Sequence, residues 1–394
     1  MKIAHVITRL IIGGAQENTI FTVKGLVQKG HQVHLITGPT KGPEGSLEKS
    51  IENTDIRLIV IRHLVREINP VADFLAFAQL LRLFRKQRYD IIHTHSAKAG
   101  ILGRLAASLI FPRPLIVHTV HGPSFYPYQS ALLRVFYTLT EKIAGCCTDY
   151  FICVGQVMKE TYLQAGIGRP SQYRVIYSGF DLVPYQKAIK KREIIRTRLG
   201  IKEDEPAIGM IARLFPLKGH EYLLTSFAQI VRFFPRVKLL LVGDGILRKK
   251  LEILARQYKI EDKVIFAGLI SPEEIPEYVA AMDILAHTSL REGLPKAVAQ
   301  GLAGGKPVVA FDVDGARELV KNGVTGYLVP AKDVQGLTER LLSLLRQPRM
   351  AAAMGEKGRS LVLELFPVEK MVENIENLYL QGKIRNCHTQ ADVL

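Results

Sequence analysis

The feature that most constrains this chain is an alternation. Short β-branched runs recur along its whole length, separated by longer segments whose apolar residues return every three or four positions. In the first half the runs read KIAHVIT, HQVHLIT, IRLIVI, DIIHTHS, LIVHTVHG, YFICVG and YRVIYSG. In the second they read AIGMIARL, KLLLVGDG, KVIFAGLI, DILAHTS, PVVAFDV and TGYLVP, with patterns such as EYLLTSFAQIVRFF and LRKKLEILARQY between them. Strand and helix in alternation predict parallel sheets covered on both faces, an α/β class. At 394 residues the chain exceeds one ordinary core, so two doubly wound, Rossmann-like domains are expected.

The series pauses at SGFDLVPYQKAIKKREIIRTRLGIKEDEP, a polar, charged stretch bounded by Pro184 and Pro206. We place the first domain at residues 1–182 and the second at 183–362. Open α/β sheets bind ligands beyond the carboxyl ends of their strands, so two such edges facing each other would make a cleft. Function is therefore sought in the loops that follow strands.

Composition narrows the partners. The formal charge is +16, biased to the first half: residues 1–175 hold 21 Lys+Arg against 11 Asp+Glu. A basic surface suits nucleic acid, acidic lipid headgroups or phosphorylated small molecules. No zinc-finger spacing or RNA-binding aromatic signature appears, which sets nucleic acid aside. Cys146, Cys147, Cys153 and Cys387 lack metal or disulfide spacing, which suits a reducing, cytoplasmic compartment. The opening MKIAHVITRLIIGGAQEN resembles a signal peptide, but His5, Thr8 and Arg9 interrupt it, so a first strand and loop are expected. No uninterrupted apolar run reaches 18 residues, so no spanning helix is expected, and surface attachment stays open.

Several loops carry residues suited to chemistry. Gly13-Gly14, after the first strand, would let backbone approach an anion at a helix start, or would simply make a tight strand-to-helix turn. HTHSAKAG and HTVHGPSF set His93, His95, His118 and His121 on two strands. His93 and His95 share a strand face and so suit a metal, yet no Cys, Asp or Glu joins them locally; packing is the expected role. His121, at a strand tip before Gly122, is the better candidate for reaching substrate. In IARLFPLKGHEYLL, Arg213 and Lys218 lie between strand and helix: a solvated loop, or a diphosphate clamp of guanidinium and ammonium. Gly243, in GDG, adds a flexible turn at the next strand's end.

The stretch LREGLPKAVAQGLAGGKPVVAFDVDG, residues 290–315, concentrates the rest. Pro295 suits the first turn of a helix, and the amides of Gly293 and Leu294 would point at an anion before it. Glu292 precedes that turn and can accept from sugar hydroxyls; Gln300 can reach the same ligand from the helix flank. A helix cap explains the stretch equally well by itself. Asp312 and Asp314 mimic a metal-binding Asp-x-Asp, but their place at a strand end predicts a turn.

Taken in order, these segments resemble the retaining glycosyltransferases of family four, of the two-domain GT-B fold. The likeness runs from MKIAHVITRLIIGGAQEN through DIIHTHSAKAG, HTVHG, IARLFPLKGHEYLL, LLLVGDG, FAGLI and EGLPKAVAQGLAGGKPVVAFDVDGARELV to NGVTGYLVP. It implies transfer of a sugar from a UDP- or GDP-sugar to an acceptor with anomeric configuration retained, with no cofactor and no metal. On this resemblance the loop at Gly13 and Gly14 approaches the donor diphosphate and His121 contacts the donor sugar. Arg213 and Lys218 hold the phosphates, Glu292 the sugar hydroxyls, and the Gly293 and Leu294 amides face the diphosphate. Gly268 and Ile270, in FAGLI, lie near the base. Residues 363–394, through NLYLQGK, pack back on the first domain; that piece also resembles a protease recognition site, but it sits in a helical pattern. Gln300 stands where the family's usual motif has a second glutamate on the ribose. Losing that charge predicts a nucleotide grip weaker by about 1 kcal/mol.

The acceptor is expected on the basic first domain, as a saccharide or lipid-linked saccharide in polysaccharide or lipopolysaccharide assembly. Phe125, Tyr126, Tyr128, Leu133 and Phe136, with Arg82, Arg85, Lys86 and Arg88, read either as ordinary helix faces or as a dock for an anionic membrane on its cytoplasmic side. Rival readings are a sugar-nucleotide epimerase of the same fold and a silent sugar-nucleotide-binding scaffold.

Overall fold

The computed structural model describes residues 1–40, 45–126 and 129–391, with 385–391 as backbone alone. The chain forms two compact units, Met1–Phe180 with Phe366–Leu394, and Asp181–Leu365. The joins thus fall at 180/181 and 365/366 rather than at 182/183 and 362/363. The reason is local: Phe180 N–H donates to the Phe366 carbonyl at 3.1 Å, and Phe180 pairs with Pro367 as a β-bridge.

Among the described residues the first unit holds a seven-stranded parallel sheet in the order β3-β2-β1-β4-β5-β6-β7. Its strands are β1 (Lys2–Ile7), β2 (Gln32–Thr37), β3 (Arg57–Val60), β4 (Ile91–His95), β5 (Leu115–Val120), β6 (Tyr150–Cys153) and β7 (Tyr173–Val175). The second unit holds a six-stranded parallel sheet, β10-β9-β8-β11-β12-β13. These are β8 (Ala207–Ile211), β9 (Lys238–Val242), β10 (Val264–Gly268), β11 (Ile284–His287), β12 (Val308–Phe311) and β13 (Gly326–Val329). Every expected run became a strand. The inner ones are buried at every position, histidines and threonines included, because both faces are covered.

Alternation along the strands sorts the first unit's core. Ile3, Ile7, Ile91 and Val117 face Ile20, Val23 and Leu26 of helix α1 (Gly14–Gln28) and Met371, Ile375 and Tyr379 of the helix Val368–Ala391. Ala4, Val6, Ile92 and Ile116 face the other way, toward Ala76, Leu80 and Phe84 of α2 (Pro70–Gln87) and Ala99 and Ala106 of α3 (Ala97–Ser108). NLYLQGK is thus part of the fold, with Leu378 and Tyr379 buried. Helix α2 starts where Pro70 fits its first turn and Asn69 accepts from the Ala72 amide. It ends at Arg88, left-handed at φ 48°, so Arg82, Arg85 and Lys86 lie on the helix and Arg88 lies beyond it.

Helix α4 (Ala131–Cys146) buries Glu141 against α3, where Arg104 Nη2 meets Glu141 Oε2 at 2.6 Å with both side chains almost wholly enclosed. Its opposite face exposes Leu132, Val135, Phe136, Leu139 and Ile143, a stripe at helical spacing. The aromatic loop before it divides: Phe125 is buried against the Tyr162 ring, and Tyr128 lies outside the described residues. Cys146, Cys147 and Cys153 are in no disulfide; the Cys387 side chain lies outside the described residues. Among the described residues no helix is long and apolar enough to cross a membrane.

A buried cation that loses its only carboxylate costs far more than an exposed one. Glu141→Leu should destabilise the first unit by about 3–5 kcal/mol in urea denaturation. An Arg104→Met/Glu141→Leu pair should recover most of that loss. A single variant as stable as the parent would show that the pair is not holding α3 to α4.

Candidate active site

In both sheets the strand order reverses beside the first strand of the unit, between β1 and β4 and between β8 and β11. Loops leaving neighbouring strands there depart to opposite faces, which opens space at the carboxyl edge. Lys218 follows β8 and Glu292 follows β11, so sequence neighbours of the reversal become partners in space. Lys218 Nζ donates to Glu292 Oε1 at 2.6 Å.

The backbone holds that pair in place. The loop after β8 crosses close under the end of β11: the Leu290 amide donates to the Leu217 carbonyl at 2.8 Å, and Thr288 Oγ1 to the Gly219 carbonyl at 2.9 Å. Gly219 has φ 74°, and a Cβ on it would sit 2.0 Å from the Thr288 carbonyl oxygen. Only glycine fits. From the other side, the Glu292 amide donates to Asp314 Oδ2 at 2.6 Å, and the Gly315 amide to the Gly293 carbonyl at 3.2 Å. Asp314 therefore braces the loop as a turn residue, and Asp312 pairs through both oxygens with Arg317.

Sequence reasoning missed His287. It ends β11 at 2% exposure, with Nε2 3.4 Å from Glu292 Oε1. The signal was present, a histidine closing the strand at the reversal, in DILAHTS. Burial by itself would raise the Glu292 carboxyl, but the Lys218 ammonium and then the His287 ring outweigh it and hold the group well below the usual carboxylate range. Glu292 is a fixed anion.

The remaining expected residues separate. Arg213 is exposed, its guanidinium 5.2 Å from the centre of the Phe215 ring, and no bond joins it to Lys218 or Glu292. Pro295 is the N-cap of the helix Lys296–Ala303 and stands just outside its first turn, because its ψ of 99° is extended. Gln300 lies buried on that helix, at 7% exposure. Gly243 and Gly268 come together, the Gly243 amide donating to the Gly268 carbonyl at 2.9 Å. A Cβ on Gly243 would fall 2.1 Å from the Ala212 carbonyl oxygen, so the ends of β8, β9 and β10 meet there. Ile270 is half-buried just beyond.

In the first unit Gly13 caps α1 and Gly14 begins it, at the end of the loop that follows β1. The extended φ of 177° at Gly13 demands no glycine. His121 follows β5, half-buried, and its Nε2 lies 3.1 Å from His95 Nδ1. Burial holds its pKa down to about 4. His93 and His95 are enclosed, as packing predicts, and His5 of β1 joins them, with ligand atoms within 4.8 Å of one another. Their nitrogens are engaged with each other and with hydroxyls, an arrangement of a polar core rather than of lone pairs converging on an ion.

Against known proteins this architecture is familiar. Residues 12–183 match the glycosyltransferase family 4 pattern and residues 191–361 that of the glycosyl transferases group 1. Along 96% of its length the chain is 28% identical to the Escherichia coli UDP-Gal:alpha-D-GlcNAc-diphosphoundecaprenol alpha-1,3-galactosyltransferase, 97% of which is covered. It is 30% identical, over 68% of its length and 70% of the relative, to the GDP-mannose-dependent alpha-(1-6)-phosphatidylinositol monomannoside mannosyltransferase of Mycolicibacterium smegmatis. The crystal structure of Anabaena Alr3699/HepE in complex with UDP superposes with TM-score 0.82 at 24% identity, covering 97% of this chain and 100% of that one. The chain belongs to the group 1, family 4 glycosyltransferases, with the two α/β units of the GT-B fold.

The lowered Glu292 pKa has a thermodynamic sign. A carboxyl held below its unfolded value contributes stability above that ordinary value of 4.5, and the contribution fades as pH falls toward the folded value. The stability difference between the parent and Glu292→Gln should therefore be largest near neutral pH and shrink below about pH 4.5. Chemical denaturation at a series of pH values measures it; a difference independent of pH would mean that the carboxylate gains nothing from Lys218.

Proposed function

We propose that this glycosyltransferase moves a sugar from a UDP- or GDP-sugar to a lipid-linked saccharide, retaining the anomeric configuration and using no metal ion. The Lys218–Glu292 pair at the strand-order reversal carries the reading. An ammonium has three N–H donors, and Glu292 takes one, so Lys218 can bridge that carboxylate and a phosphate oxygen. The second oxygen of Glu292 is available to a sugar hydroxyl. As the glycosidic bond breaks, negative charge grows on the departing nucleoside diphosphate. Lys218, with Arg213 and the amides of Gly293 and Leu294 beside the helix Lys296–Ala303, offsets that charge where it develops. These cations do the work that a divalent metal does in other sugar-nucleotide enzymes. Gly243, Gly268 and Ile270 bound the base side, Gln300 reaches the ribose, Gly13 and Gly14 approach the diphosphate, and His121 contacts the donor sugar.

The acceptor reading rests on a surface. The relatives from E. coli and M. smegmatis act, by name, on diphosphoundecaprenol and phosphatidylinositol compounds. The apolar stripe of α4 has exposed Lys142 at its edge, on a unit with a large excess of basic residues. An apolar face with a basic edge suits an anionic membrane surface, where a lipid-linked acceptor is presented on the cytoplasmic side.

Incubation with a panel of nucleotide-sugars and lipid-linked acceptors, in the presence of a chelator, tests the reaction. Transfer with retained configuration supports it; an altered sugar isomer, binding without turnover, or turnover only after metal is restored would each count against a part of it. Lys218→Ala should lower turnover by a factor on the order of 100 or more, with folding intact. Liposome sedimentation tests the surface: Leu132→Glu/Phe136→Glu should abolish pelleting with anionic vesicles. Equal pelleting of parent and variant would remove α4 as the docking face.

A further inference from the structure

Four histidines of the first unit, His5, His93, His95 and His121, form a chain with a direction. His121 Nε2 meets His95 Nδ1 at 3.1 Å, and His95 Nε2 meets His5 Nδ1 at 2.9 Å. His5 Nε2 lies 3.4 Å from the Tyr379 hydroxyl, which is 2.5 Å from His93 Nδ1; His93 Nε2 ends the chain 2.6 Å from Thr119 Oγ1. The strand register makes this possible. His5 stands opposite His93, and His95 opposite Thr119, on the sheet face that the helix Val368–Ala391 covers.

Each neutral imidazole has one N–H and one lone pair, so each ring that donates at one nitrogen must accept at the other. Tyr379 has a single proton, and the shorter contact, to His93 Nδ1, takes it. Its oxygen then accepts from His5 Nε2. His5 Nδ1 accepts from His95 Nε2, and His95 Nδ1 accepts from His121 Nε2. Burial, first among the causes, holds the pKa of His93 and His95 well below the usual histidine value, that of His5 at about 3 and that of His121 at about 4. The rings are therefore neutral at physiological pH, and the one-donor, one-acceptor rule applies to all four.

We propose that Tyr379, through His5 and His95, is a positioning residue that fixes His121 as the Nε2–H tautomer and leaves its Nδ1 lone pair to accept from a hydroxyl of the donor sugar. The inference rests on the reading of His121 as a donor-sugar contact, but the tautomer can be measured without it. Tyr379 and His121 are far apart in sequence and come from the two separate segments that build the first unit. Nothing in the sequence pattern pairs them.

The test uses the full chain labelled with ¹⁵N-histidine. Long-range ¹H–¹⁵N correlation of the parent should show His121 with a bare Nδ1 and a protonated Nε2. In Tyr379→Phe the same signals should move to a mixture of tautomers, and kcat/KM for the donor should fall about tenfold, the worth of one well-oriented hydrogen bond. An Nδ1–H His121 in the parent overturns the assignment whether or not the variant folds. An unchanged tautomer in a folded Tyr379→Phe overturns the relay. His121→Ala separates the two ideas. Full turnover in that variant would remove the donor-sugar contact and leave the tautomer result standing.

Discussion

Parallel pairing is the constraint on which this molecule depends. It sends every strand's carboxyl end to one edge of its sheet, and the two reversals of strand order decide where that edge opens. The second unit uses its reversal to hold an ion pair, and the first uses its own to hold a file of imidazoles. The ion pair is fixed by loops pinned to each other through backbone bonds, as Leu217 is to Leu290 and Gly315 to Gly293, whereas His5, His93 and His95 stand on the strands themselves. The chemistry of a glycosyltransferase is therefore carried on rigid strand ends.

The two units handle buried polarity differently. Around Glu292 a full negative charge persists because an ammonium stands 2.6 Å away. Around His95 no charge is paired; desolvation keeps the rings neutral, and hydrogen bonds satisfy them. The first arrangement favours a site that must tolerate a growing anion. The second favours a site that must present a single lone pair in a set direction.

Much of this was legible in the sequence because it is local. Thirteen short runs gave thirteen strands, and Lys218 and Glu292 could be named from the loops in which they stand. Gly243 and Gly268 could be named as well, though not that they would touch. The less legible part is non-local. Arg213 lies only five residues from Lys218, yet its side chain turns to Phe215 instead of to the ion pair. His287 was hidden in an apolar strand, and the brace from Asp314 looked like a spare carboxylate. The exposed stripe on α4 was only half seen, because of its members only Phe136 was named, while half-buried Leu133 lies at its flank. Tyr379 reaches His93 across 286 positions, a separation no periodicity encodes.

The helix Val368–Ala391 has one more consequence. Its Met371, Ile375 and Tyr379 close the core of the unit built from the first 180 residues, yet they are translated after the whole of Asp181–Leu365. While the ribosome makes the second unit, the first has a sheet face bearing Ile91 and the imidazoles of His5, His93 and His95 that α1 covers only in part. Transiently exposed apolar surface of this kind favours aggregation until the closing helix is made. The second unit, contiguous in the chain, can finish folding first, so the order of maturation runs against the order of translation.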